Sequence, residues 1–192
     1  AQNMSQWASG AYTGEISCSM LSELGVQYII VGHSERRYLF GEKDERINKK
    51  IHSVLAHSLA PIFCVGETLE QRKSGETKKV LENQINTGLK EVTNLGNFII
   101  AYEPVWAIGT GLNANTSQIE EAHQCIKQNI ESGYSVSESE NISILYGGSV
   151  NPQNAKSLIS TPGVDGFLIG GASLETDSFY QIINTVEQFS KE

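Results

Sequence analysis

Two residues in this sequence stand where a rigid backbone could aim them at a ligand. Glu103 follows the apolar run Phe98-Ile99-Ile100-Ala101-Tyr102 and precedes Pro104, and His33 follows Tyr28-Ile29-Ile30-Val31 and Gly32. A carboxylate fixed at the end of a buried strand, on the edge of a pocket, is desolvated toward use as a base. The competing reading is a structural Glu held in an ion pair. His52, His57 and His123 fall inside helical segments and read as surface or partly buried structural residues. An imidazole and a carboxylate facing one ligand would move protons beside a carbonyl.

Two glycine pairs point to what such a ligand carries. Tyr146-Gly147-Gly148-Ser149 and Ile169-Gly170-Gly171-Ala172-Ser173 each follow an apolar run and precede a helical one. Backbone N–H groups and a helix dipole at such turns bind anions without needing a Lys. A phosphorylated ligand is therefore compatible with the formal net charge of −8. The alternative is that these glycines only make tight turns. Between Pro104 and Gly111 lies a loop with an apolar middle, Val105-Trp106-Ala107-Ile108. Apolar residues in a loop suit closure over a ligand and exclusion of water; packing against a neighbouring loop is the other reading.

The elements that must hold these residues are short strands alternating with longer helices. Strands are expected at 28–31, 62–65, 98–102, 142–146 and 166–169, mostly apolar without alternation, as in parallel sheets covered on both faces. Ile47, Ile51, Val54, Leu55 and Leu59 form a stripe of helical period, as do Leu81, Ile85, Leu89 and Val92. Ile119, Ala122, Ile126 and Ile130 repeat it, and so do Phe179, Ile182, Ile183 and Val186. Ser117 with Glu120 spells a capping box, Asn151-Pro152 a helix start, and Gly25 a helix end. Linkers and composition shifts are missing, so residues 1–192 read as one domain. Strand-helix repeats leave a closed β/α barrel or an open doubly wound sheet. Periodicity does not separate the two, but there is no G-x-G-x-x-G or P-loop turn of the kind that marks an open sheet.

Composition removes other classes. With 22 acidic against 14 basic residues and no basic run, neither nucleic acid nor an anionic membrane surface is an expected partner. Apolar stretches stop well short of the ~20 residues of a membrane span, and Ala1 to Gly10 lacks a signal-peptide pattern, so a soluble cytoplasmic protein is expected. Cys18, Cys64 and Cys125 are odd in number and scattered, and read as reduced thiols. No metal-ligand spacing or cofactor motif is present, and none is expected.

The segments around these residues resemble one family, the triosephosphate isomerases. Ala101-Tyr102-Glu103-Pro104-Val105-Trp106-Ala107-Ile108-Gly109-Thr110-Gly111 is similar to that family's catalytic loop, and Val31-Gly32-His33-Ser34-Glu35-Arg36-Arg37 to its other hallmark. Further matches, in the family's order, are Gly10 to Ser17, Tyr146 to Val150 and Val164 to Ser173. The resemblance implies a (β/α)8 barrel and interconversion of dihydroxyacetone phosphate with glyceraldehyde 3-phosphate, in glycolysis and gluconeogenesis. It assigns proton removal through an enediol(ate) to Glu103 and the role of neutral electrophile to His33, a pairing for which this family is the type example. It makes Glu35 an auxiliary acid and makes Gly109, Ser149, Gly170 and Gly171 phosphate-binding positions, Gly109 when the loop closes. A homodimer is implied through the loop from Gly10 to Gly14, with Thr13 beside the neighbour's site.

Two departures from the family pattern stand out. Leu112 occupies a position where the family commonly has Lys. A full barrel has eight units in ~250 residues, so these 192 residues are expected to lack about the first two strand-helix units. The essential Lys and neighbouring Asn that the family carries after its first strand have no counterpart here. The chain alone is therefore expected to be inactive. The alternatives are another phosphosugar isomerase or epimerase barrel, or a non-catalytic phosphate-binding or assembly module.

Overall fold

A computed structural model of the chain describes residues 1–108 and 113–191. After a loop over the first residues, the order is α1 (Cys18–Glu23), β1 (Tyr28–Val31), α2 (Ser34–Tyr38), α3 (Asp44–Ala56), β2 (Ala60–Val65), α4 (Leu69–Lys73) and α5 (Thr77–Gly88). It continues with β3 (Ile99–Tyr102), α6 (Thr116–Gly133), α7 (Val136–Asn141), β4 (Ser143–Tyr146), α8 (Ala155–Ile159), β5 (Gly166–Phe167) and α9 (Thr176–Phe189). Single 3₁₀ turns follow β3, at Val105–Ala107, and β5, at Gly171–Leu174.

All strand pairs are parallel and lie in the order β1-β2-β3-β4-β5. An order that never reverses has no switch point, so the sheet is the wall of a barrel and does not have the doubly wound arrangement. Parallel neighbours joined in sequence order need a crossover between each pair, and the intervening helices supply it. Ala1 runs beside β1: the Ile30 N–H donates to the Ala1 carbonyl at 2.9 Å, and the Ala1 amino group to the Tyr28 carbonyl. Among the described residues β5 pairs with β4 alone, so the wall is open between β5 and the first residues.

The helix stripes pack as their spacing predicts. Ile47, Ile51 and Val54 of α3, Leu81 and Ile85 of α5, and Ile119, Ala122, Ile126 and Ile130 of α6 are all buried. Leu59 lies beyond the end of α3, past Ser58, whose φ of 56° turns the chain toward β2. The α9 stripe departs from expectation: only Ile182 is buried in that helix, while Phe179 and Ile183 are exposed. The capping box at α6 is Asn115 with Gln118, because the helix starts one residue ahead of Ser117 and each amide side chain accepts the other's backbone N–H. Asn151 accepts the N–H groups of Gln153 and Asn154 in a turn before α8. Gly25, at φ 73°, follows α1 as expected.

One glycine fixes how close β2 and β3 come. A Cβ placed on Gly66 would stand 1.7 Å from the carbonyl oxygen of Glu103, backbone against backbone, so neither side can yield. Gly66→Ala is expected to cost about 3 kcal/mol in urea unfolding. Gly133→Ala, where nothing lies within 4 Å, is expected to change stability by less than ~1 kcal/mol; equal costs would contradict this account of the contact.

Candidate active site

The strand ends carry the site because parallel neighbours bring all C-terminal ends to one rim. Glu103 continues the ladder one residue past β3, its N–H donating to the Val65 carbonyl at 2.8 Å. The residue is 2% exposed. Oε2 accepts the backbone N–H of Ser34 at 2.9 Å, and Oε1 lies 3.0 Å from Nε2 of His33. His33 caps the short helix α2, where Nδ1 accepts the N–H of Glu35 at 3.3 Å. That amide can only donate, so Nδ1 is bare and the proton of a neutral ring sits on Nε2, toward the carboxylate. The loop residues after β1 therefore set the tautomer of His33 and hold Glu103 with two donors.

Burial pushes the Glu103 carboxyl above the ordinary carboxylate range. His33, the Ser34 N–H, Arg37 and Cys64 pull it down without cancelling that effect. Cys64, fully buried at the end of β2, is itself pushed well up by burial and by Glu103. Both shifts follow from placing one carboxylate in an almost dry pocket.

His33, Glu103, Glu35, Ser149, Gly170 and Gly171 line one cleft of about 770 Å³, with Arg36, Phe40 and Ile108 on its walls. Glu35 is mostly exposed, its Oε2 4.0 Å from Nδ1 of His33. Among the described residues, Arg36 is the one Lys or Arg on the cleft wall, and its Nε donates to buried Glu42 at 2.7 Å. Ser149 Oγ donates to the Ala107 carbonyl at 2.7 Å, tying the β4 turn to the 3₁₀ turn after Glu103. Gly109 and Leu112 lie outside the described residues.

Residue-by-residue reading of the sequence missed one hub. Glu67, two residues past β2, is completely buried and accepts the Tyr102 hydroxyl on both oxygens at 3.1 Å. It also accepts Trp106 Nε1 at 3.0 Å and Arg72 at 3.1 Å. The Arg72 guanidinium lies over the Trp106 ring at 5.4 Å. A carboxylate at a strand end, the criterion that found Glu103, also applies to Val65-Gly66-Glu67. Ser34 could not be found that way, because it contributes only a backbone N–H.

A barrel wall with a desolvated carboxylate facing an imidazole, beside glycine turns at neighbouring strand ends, defines a class: enzymes that move a proton at carbon next to a carbonyl. The family model described as triosephosphate isomerase matches residues 1–186. The protein named triosephosphate isomerase in Borreliella burgdorferi (strain ZS7) is 54% identical over 189 residues, 97% of this chain and 75% of that protein. Those of Rhodopirellula baltica (strain DSM 10527 / NCIMB 13988 / SH1) and Borrelia duttonii (strain Ly), bearing the same name, are 49% and 52% identical. They cover 95% and 98% of this chain, and 73% and 75% of their own lengths. The chain belongs to the triosephosphate isomerase family and is an isomerase.

Because Glu103 is harder to ionise in the folded chain, the sign of its linkage is fixed. The stability associated with its protonated form is fully present below about 4.5 and is lost as pH rises through the raised folded value. Carboxyl carbon NMR is expected to show Glu103 titrating above 4.5, and Cys64→Ala is expected to move it further up by removing a donor. A midpoint at or below 4.5 would contradict the burial argument.

Proposed function

We propose that the site interconverts dihydroxyacetone phosphate and D-glyceraldehyde 3-phosphate, a step of glycolysis and gluconeogenesis. The observation that carries this reading is the buried Glu103 carboxylate 3.0 Å from the Nε2–H of His33. Glu103 takes a proton from C1 of the ketose as the C1–C2 double bond forms and charge moves to the oxygen on C2. His33, neutral at Nδ1, donates its Nε2 proton toward that oxygen and takes one from the oxygen on C1. The proton held by Glu103 then returns to C2 and leaves the aldehyde. A base above the ordinary carboxylate range is matched to abstracting a carbon-bound proton, and a neutral imidazole gives up its proton without first creating a buried cation. Glu35 acts as an auxiliary acid beside His33.

The phosphate is bound by backbone N–H groups at Ser149, Gly170 and Gly171 and, on loop closure, at Gly109. Support comes from the two glycine turns on the cleft wall and from the 3₁₀ turn at Gly171–Leu174 beside one of them. Closure requires the bonds of Glu67 to Trp106 and of Ser149 to the Ala107 carbonyl to exchange, since both anchor the start of the loop.

The protein acts as a homodimer through the loop around Thr13. Trp7 stacks on Tyr12 at 5.4 Å, and Trp7, Tyr12, Ile16 and Met20 are all exposed beside that loop, a surface that a second copy would cover.

In an active enzyme carrying this sequence, Glu103→Asp withdraws the carboxylate by about one bond. The expected loss is ~10²-fold in kcat with KM little changed. His33→Gln is expected to lower kcat by ~10²–10⁴-fold. Steady-state kinetics in both directions test this, and an effect confined to KM would sink the assignment.

A further inference from the structure

His123 takes no part in the chemistry above, yet it is 0% exposed. It lies on α6, where Nδ1 is 2.7 Å from the Gly163 carbonyl. A carbonyl only accepts, so Nδ1 carries the proton and Nε2 is a bare lone pair. That nitrogen is buried with no hydrogen-bond partner among the described residues. The ring meets Tyr102 edge to face, centroids 5.7 Å apart at 89°. Tyr102 directly precedes Glu103, and its hydroxyl donates to the same Glu67 that holds Trp106.

We propose that His123 is an acid-sensitive latch: the neutral ring locks α6 onto the end of β3, and protonation of Nε2 releases that packing together with the Tyr102, Glu67 and Trp106 anchor of the loop. Protonation would create a buried N–H with no acceptor among the described residues, in place of a lone pair whose loss of water is less costly than an unpaired charge.

The groups that face His123 are few. Asp165, in the turn before β5, favours the cation; Lys127, one turn along α6, opposes it. Tyr102 stays a neutral phenol, pushed well above its ordinary range by burial and by Glu67. Burial dominates and lowers the His123 pKa from 6.5 to about 4. The folded state thus binds fewer protons than the unfolded chain between these values. The latch's contribution is fully present above 6.5 and is lost as pH falls through about 4. Glu42 acts in a different window. Burial opposes its ionisation, but the hydrogen bonds from Lys50 and Arg36 lower its pKa, so its contribution is present above 4.5 and lost below it.

The test is urea unfolding at pH 7, 6 and 5, followed by Trp106 emission in a Trp7→Phe background, with and without His123→Gln. The Gln amide can still donate to the Gly163 carbonyl but does not titrate. The parent is expected to lose up to about tenfold in its folded-to-unfolded ratio per pH unit below 6.5. The Gln variant is expected to lack that slope while keeping the pH 7 signal. Parallel pH dependences would overturn the proposal. Should the variant fail to fold, ring nitrogen NMR of the parent decides the matter: a neutral Nδ1–H tautomer at pH 5.5 is the expected result, and titration near 6.5 would refute it.

Discussion

A carboxylate that is almost without water must be held by donors, and the architecture around Glu103 serves that requirement. Its two oxygens face the Ser34 N–H and His33 Nε2, both presented by the loop that leaves β1, two strands away. Glycines on the flanking strand ends make the room. A Cβ on Gly66 would strike the Glu103 backbone, and one on Gly147 would stand 3.0 Å from its Cγ. The donors are too few to cancel burial, so the group remains a stronger base than a surface carboxylate. Burial raises its proton affinity, and the donors that moderate this rise also fix where the carboxylate points.

The second constraint is the coupling of that carboxylate to the loop that follows it. Glu67 gathers the Tyr102 hydroxyl, the Trp106 indole and Arg72, so the residue before the base and the residue three after it share one buried anion. Such a hub is stable only while its donors are in place, because an unpaired carboxylate at zero exposure is costly. Movement of the loop therefore entails re-solvating or re-pairing Glu67, which ties loop position to the end of β3. His123 packs on the far side of Tyr102 and extends this coupling to α6, the helix into which the loop leads.

Much of this was legible in the residues. Unalternated apolar runs located all five strands, since strands covered on both faces carry no polar side, and helical spacing identified the buried faces of α3, α5 and α6. Extended motifs mark His33, Glu103 and both glycine turns, which line one cleft. Boundaries were less legible. The capping box fell at Asn115 because Ser117 and Asn115 both satisfy the local pattern, and only the path of the chain chooses between them. The α9 stripe is apolar as its spacing predicts, but whether a stripe is covered depends on what lies opposite it, which spacing does not state. Glu67 escaped notice because its partners are scattered from Arg72 to Trp106, with no spacing that marks them as a set.

The sequence by itself determined the inventory: parallel strand-helix units, an acid and an imidazole at strand ends, glycine turns suited to an anion, and membership in a family through extended motifs. Those are properties of residue type and local order, which survive without knowing where the chain goes. Tertiary structure decided the rest. It brought the Ser34 N–H to a carboxylate 69 residues away, placed the proton of His33 on Nε2, and ordered the sheet as a barrel wall. It also set the opposite directions in which burial moves Glu103 and His123. Proton affinity and tautomer depend on the water and dipoles within a few ångströms of a group, and only the folded chain determines what those neighbours are.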